Sequence, residues 1–265
     1  MSDYAALLAE DTFGIFLFHG VIPAPRPGLR NYTSKHITAD RFGAVLDGLL
    51  GRGAPVSLPD IVRAETVGAP LPPCAFAVTF DDGFENNASV AAPILAERGV
   101  PAAFYVTTSF VGADGCSWID LIEQAVEAVG SFELELPFTG PPARYETREE
   151  KIALLDRIRR FVKSEPTGDA YELAANVRSQ LAIGSLEPDP DLDRKLDWDQ
   201  VRRLDGEDLF TVGGHGHTHR ILEFLDDREL SDEVERSLVT LATELGSPVE
   251  HYSIPKGLRT ATRSA

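Results

Sequence analysis

The sequence predicts an α/β fold in which parallel strands alternate with helices in a βα-barrel pattern. Three observations carry this reading. The run Ala75-Phe76-Ala77-Val78-Thr79-Phe80 is apolar and β-favouring throughout, as a strand buried on both faces reads. A helical stretch and a second such run over 102–107 follow it, and strand–helix–strand implies a parallel pair with a right-handed crossover. Finally, His19, Asp81, Asp82, His215, His219 and Lys256 all follow expected strands. In a βα barrel that is the edge where a site is built.

The 265 residues suffice for one large domain with a real core. A formal net charge of −17 argues against nucleic acid or an anionic membrane as partner. The two cysteines, Cys74 and Cys116, show no Cys-x-x-Cys spacing, and no disulfide framework is expected. The N-terminal residues carry no basic region and no long apolar run, so no signal peptide is expected. No stretch reaches the roughly 18 uninterrupted apolar residues of a membrane span. The expected location is cytoplasmic.

In chain order, 14–18 is a short apolar strand, and 23–30, with three prolines and a glycine, is a loop. A helix from 38 shows Phe42, Val45, Leu46, Leu49 and Leu50 on one face and stops at Gly51-Arg52-Gly53. Residues 55–58 read as a short strand and 60–65 as a short helix. After the central strand, 87–98 is helical, weakened or bent by Pro93, and ends at Gly99. Residues 133–136 alternate as a half-exposed strand that pairs with 144–145, and charged amphipathic helices follow over 148–163 and 169–181. The stretch 117–196 interrupts the barrel pattern and is expected to be an α-rich insertion, with Trp118 in a core. A helix over 198–204 leads to the strand 210–214. A capping box at Asp226 opens a helix whose inward face is Leu230, Val234, Leu238, Leu241 and Leu245. Residues 249–254 read as a final strand. There is no internal repeat.

Two stretches carry chemistry. Asp81 and Asp82 are adjacent acids that repel each other unless a cation or proton lies between them. The plainer reading is a helix cap, since Asp is common at N-termini. Downstream, His215-Gly216-His217-Thr218-His219 holds half of the chain's six histidines. His215 and His219 are four apart, so one helical turn aims both imidazoles alike. With one carboxylate from the first stretch they make a His-His-Asp set that leaves coordination positions open. Structural zinc sites fill all four positions with Cys or His, so this is a catalytic pattern. The same donors make the triad of non-haem iron oxygenases. The second Asp argues against that, because an oxygenase needs no base for water. His217 is given no ligand role, and His36 and His251 read as surface or packing residues.

Together, Thr79-Phe80-Asp81-Asp82-Gly83 and His215-Gly216-His217-Thr218-His219 resemble the two first motifs of the polysaccharide deacetylase family, also called NodB-homology or carbohydrate esterase family 4. The likeness runs from Phe18-His19-Gly20-Val21, similar to the family's early Tyr-His-x-Val, to Ile254-Pro255-Lys256-Gly257. It implies a distorted, incomplete (β/α) barrel of the polysaccharide deacetylase type, one domain over 1–265 with the insertion at about 117–196. It further implies a metal-dependent hydrolase removing an N-acetyl or similar acyl group from an acetylated amino sugar or polysaccharide intermediate. For a cytoplasmic protein that intermediate would be nucleotide-linked or lipid-linked. Asp81 would be the general base, and Asp82, His215 and His219 would hold one divalent ion, zinc first. The backbone N–H of Lys256 would help hold the oxyanion, and His19 is the candidate for substrate contact from the pocket wall.

Three departures accompany the resemblance. Position 216 is Gly where the family has Ser or Thr, and Ser253 stands where many members have an Arg that orients the base. The family's late Leu-x-His, whose histidine is the general acid, and the closing strands of its barrel are expected beyond Ala265. These departures support an alternative reading, a catalytically weak or inactive deacetylase-like protein that binds metal or carbohydrate.

Overall fold

In the computed structural model the described residues are 4–113, 116–164, 169–184 and 187–255. They form two compact units. The first holds the described residues of 4–24, 35–113 and 194–255, and the second those of 25–34 and 116–193.

The first unit opens with β1 (Phe13–Phe18), β2 (Gly20–Ile22), β3 (His36–Thr38) and α1 (Ala39–Leu50). Thr38 caps α1, its hydroxyl accepting from Arg41 N–H, and Phe42, Leu46 and Leu49 are the buried face. The strand expected over 55–58 is not formed. Only Pro55 makes a β-bridge, to Phe76, while Ser57 caps α2 (Leu58–Val67) in a reciprocal capping box with Asp60. Two orphan N–H groups satisfied at once outweigh the weak β-preference of so short a run. Then β4 (Ala75–Phe80) enters with every residue buried. The stretch after Gly83 is helical but broken in two. Residues Asn87–Ala91 form a wide turn in which Ala92 N–H reaches Asn87 O, and α3 (Ala92–Arg98) starts with Pro93 in its first turn. Proline is tolerated there because its missing N–H would have been unpaired anyway. β5 (Ala102–Val106) follows.

The second unit contains α4 (Trp118–Ala128), the antiparallel pair β6 (Phe132–Leu134) and β7 (Ala143–Tyr145), α5 (Arg148–Ser164) and α6 (Ala170–Gln180). The sequence reading gave no helix over α4. Its buried residues mix Ile119, Ile122 and Val126 with Asp120, Glu123 and Gln124, and Trp118 is buried too. Those inward polar groups join a buried ion network. Arg30 makes a two-pronged pair with Asp193, which also accepts from Gln124 Nε2 at 2.7 Å and Asp189 N–H at 2.8 Å. Arg159 pairs with Glu123. Glu127 accepts from the N–H groups of Leu29 and Arg30 at 2.7 and 3.1 Å, so the proline-rich loop is part of this unit.

The chain returns to the first unit with α7 (Trp198–Asp205), β8 (Phe210–Gly214) and α8 (Asp227–Leu245). The expected capping box is present, with Asp226 and Glu229 bonded reciprocally. The inward face of α8 differs from expectation, however. Glu233, Ser237 and Leu241 are buried, while Leu230 is 36% exposed. The expected last strand is reduced to one bridge, Gly214 to Tyr252, flanked by hydrogen bonds from Gly214 to His251 and from Ser253 to Gly214. Pro255, three residues on, has no N–H to extend the ladder.

The central sheet is wholly parallel in the order β1-β4-β5-β8, and β2 and β3 form a separate parallel pair. The described residues close no barrel. In register, Phe18 sits beside Phe80 and Phe80 beside Phe104. The rings of Phe80 and Phe104 stack at 5.1 Å, Phe18 lies 5.7 Å from Phe80, and Phe42 of α1 meets both Phe18 and Phe80 edge-on. Each fully buried ring contributes roughly 1.5–3 kcal/mol. This row locks the register of three strands just below the ends from which the site residues emerge.

Candidate metal centre

The hydrogen-bond ladder runs past the last strand residues into the site. Asp81 N–H donates to Phe18 O at 3.0 Å, and His215 N–H to Val106 O at 2.9 Å. The chain then turns sharply at both places. Asp82 and His219 have φ of 75° and 60°, a left-handed conformation uncommon outside glycine. Such residues cluster at functional sites, where the surrounding structure enforces them.

The turns bring Asp82, His215 and His219 together. One ligand-type atom from each lies within 4.8 Å of the others, the one such group among the described residues. Asp82 Oδ1 is 3.1 Å from His219 Nε2 and 3.5 Å from His215 Nε2, and Asp81 Oδ2 is 3.9 Å from His215 Nε2. Asp81, Asp82 and His215 are buried, and His219 is half-buried with the Phe110 ring stacked 6.3 Å away. His215 Nδ1 lies 2.9 Å from Ser253 O. A carbonyl can only accept, so Nδ1 carries a proton, and in the neutral ring Nε2 presents its lone pair to the cluster.

The electrostatics separate the two acids. Burial pushes the Asp81 carboxyl up; the neighbouring His215 charge opposes this and Asp82 adds to it, leaving Asp81 raised. Burial would raise Asp82 as well, but the charge of His219 and the contacts of both histidines hold it well below the usual carboxylate range. His215 is lowered by burial but raised on balance by Asp82 and Asp81. Two imidazole nitrogens and one carboxylate oxygen, buried and facing one another, are a donor set suited to a divalent transition metal. Asp81 Oδ1, buried beside them with no hydrogen-bond partner, is an acceptor left open for a further ligand.

The other predicted residues fall out differently. His19 ends up at the same sheet edge. Burial lowers its pKa, and Asp82 and Asp81 oppose this while Lys35 adds to it. Its carbonyl accepts from Asn87 Nδ2 at 2.8 Å. Lys256 lies outside the described residues. His217 turns from the cluster to Thr108 Oγ1, 2.9 Å from its Nδ1. His36 is buried, edge-on to Phe84 at 4.6 Å. Ser253, a departure by the resemblance, donates to Asp81 Oδ2 at 3.4 Å.

Sequence reasoning did not single out the residues that clamp the histidine loop. Thr107 Oγ1 donates to His215 O at 3.1 Å, Thr108 N–H to Gly216 O at 3.2 Å and Ser109 N–H to His217 O at 2.8 Å. Their position just past β5, on the edge where a site is built, was the available signal.

A parallel α/β sheet with a buried carboxylate and two histidines at its strand ends defines a class of α/β proteins with a candidate metal centre. The polysaccharide deacetylase profile matches residues 69–264, and the chain belongs to that family. No curated protein sequence matches it. Among solved structures it is similar to IcaB from Ammonifex degensii, at 18% identity and TM-score 0.58, covering 96% of this chain and 78% of that one. The Streptococcus pyogenes deacetylase PplD, solved in complex with acetate, gives 14% identity and TM-score 0.55 over 96% and 77% of the two chains. A de-N-acetylase from Aggregatibacter actinomycetemcomitans gives 18% identity and TM-score 0.51 over 94% and 80%. At these identities the likeness concerns the fold. No helix among the described residues is long and apolar enough to cross a membrane.

Proposed function

We propose that the chain is a metal-dependent hydrolase that removes an N-acetyl or similar acyl group from an amino sugar or polysaccharide intermediate. Asp82, His215 and His219 would hold one divalent ion, zinc first. The observation that carries this reading is the split between the acids. Asp82 is drawn into the histidine pair and held low, while Asp81 stands beside it with its carboxyl raised; each keeps one buried oxygen without a hydrogen-bond partner. When bound there, a divalent ion would supply a water of lowered pKa, toward about 7, and polarisation of the acyl carbonyl.

The chain's own part follows from position. The Asp81 carboxylate accepts the proton of the attacking water, a general-base role typically worth about 10²–10⁴-fold. Ser253 Oγ donates to Asp81 Oδ2 at 3.4 Å, and that same oxygen lies 3.9 Å from His215 Nε2, which holds the carboxylate beside the cluster. The His215 Nδ1 contact with Ser253 O fixes that ring's tautomer and orientation. By the family resemblance, Lys256 N–H helps hold the oxyanion and His19 lines the pocket. Water adds to the acyl carbon as its proton passes to Asp81, the C–N bond then breaks as that proton passes to the leaving nitrogen, and a carboxylic acid, which ionises, and an amine are the products.

The test is direct. Purified chain loaded with zinc is expected to retain about one equivalent by elemental analysis and to release acetate from N-acetylglucosamine oligomers. Acetate release independent of zinc would overturn the metal reading. Tight zinc binding without acyl release from any acetylated amino sugar would favour the binding-protein alternative.

A further inference from the structure

The apolar pattern of α8 predicts a leucine-lined inward face, yet a carboxylate occupies its buried stripe. Glu233 is 5% exposed, followed at helical spacing by Ser237 and Leu241, both fully buried. Its two oxygens take both donors of one residue. Oε1 accepts from Thr218 N–H at 2.6 Å and Oε2 from Thr218 Oγ1 at 2.8 Å. Thr218 immediately precedes His219 in the loop that also carries His215.

The neighbouring Gly216 fits this arrangement in two ways. Its φ is 79°, and a Cβ there would stand 2.8 Å from Glu233 Oε1. Any side chain at 216 therefore meets both a strained backbone and the carboxylate itself. The residues after β5 hold His215, Gly216 and His217 from one side, and Glu233 holds Thr218 from another. Burying a carboxylate is costly unless its hydrogen bonds are well made. Leucine at 233 would suit the helix better.

We infer that Glu233 is a positioning residue of the metal loop, fixing Thr218 and hence the approach of His219 to Asp82, with Gly216 making room for its carboxylate. This rests on the metal reading given above. Groups that orient ligands typically change metal affinity about 10–100-fold when removed.

The experiment measures zinc affinity by competition with a chromogenic chelator, well below the melting temperature of each metal-free protein. Glu233→Ala is expected to weaken zinc about 10–100-fold. Glu233→Gln, which keeps an acceptor for Thr218 N–H and a donor for its hydroxyl, should lose less. Thr218→Val, close in shape but without the hydroxyl, and Gly216→Ala, which pushes on the carboxylate, should both weaken zinc. Leu241→Val on the same helix should lower the metal-free melting temperature and leave zinc affinity as it was. Should Glu233→Ala fail to fold, Thr218→Val and Gly216→Ala carry the test. Wild-type chain that binds no zinc would sink the metal reading and this inference with it. Wild-type zinc affinity in the foldable variants would overturn this inference alone, as would equal losses in Leu241→Val.

Discussion

Two clusters of buried charge can be set side by side. In the second unit Arg30 grips Asp193 with both prongs and Arg159 meets Glu123, so each of these guanidiniums has a carboxylate of its own. In the metal centre two acids adjoin each other, and they meet His215, His219 and Ser253. Burying an ion costs several kcal/mol unless it is paired in good geometry. In the first arrangement each cation is already paired with an acid of the chain. The second is completed by protonating histidine or by a cation from outside. Equal burial therefore marks structure in one place and a site in the other, and pairing decides which.

The strongest way to break this contrast is to remove a ligand. Asp82→Ala or His215→Ala is expected to abolish zinc retention in elemental analysis. Either variant still holding an equivalent of zinc would mean the cluster is not the metal centre. Next comes Asp81→Asn, expected to keep zinc and lose turnover by about 10²–10⁴-fold, since an amide cannot accept the proton. Acetate release near the wild-type rate would remove Asp81 from the mechanism.

The contrast also makes a claim about the paired cluster. Arg30→Ala leaves Asp193 buried and uncompensated, and breaking such a pair costs about 3–5 kcal/mol. Urea unfolding should show that loss while the folded protein binds zinc with unchanged affinity. Replacing both partners with apolar residues of similar volume should cost far less. A mild effect of Arg30→Ala alone would show that the network is hydrated or already loose, and the comparison would fail on that side.

The two clusters were unequally legible in the sequence. Adjacent aspartates after a fully apolar strand, and histidines at alternate positions after another, are local patterns, so Asp81, Asp82, His215 and His219 were found. The pair Arg30–Asp193 spans 163 positions and leaves no local trace. The same blindness explains α4 and α8. The expected inward face of α8 left out Glu233 and Ser237, and no helix is expected over α4, where Asp120, Glu123 and Gln124 lie; all five are buried. Periodicity assigns faces by hydrophobicity and fails where a buried face is deliberately polar. The strand expected over 55–58 failed for a different reason, since a cap competed with β-pairing and won.

That cap supplies the smallest effect and a calibration for charge pairing at the surface. Ser57 Oγ accepts from Asp60 N–H at 3.2 Å, and Asp60 Oδ2 accepts from Ser57 N–H and Oγ at 3.1 and 2.6 Å. Losing such a cap costs about 1 kcal/mol, so Ser57→Ala should lower stability by that amount at neutral pH. The hydrogen bond from Ser57 holds the Asp60 carboxyl below its usual range, with burial opposing and Arg63 adding. A depressed folded pKa gives stability that is present above the unfolded value, about 3.9, and is lost as pH falls through the folded one. The wild type should therefore surrender part of its advantage over Ser57→Ala at low pH. The Asp60 N–H bond to Ser57 Oγ does not titrate and should survive. Asp60 is partly exposed and screened by solvent, so the titrating share is the smaller one. Urea unfolding of both proteins at pH 7 and pH 3 would show the gap narrowing without closing. A gap constant with pH would assign the cap to the neutral hydrogen bond alone, and surface charge would then contribute nothing measurable beside the buried pairs.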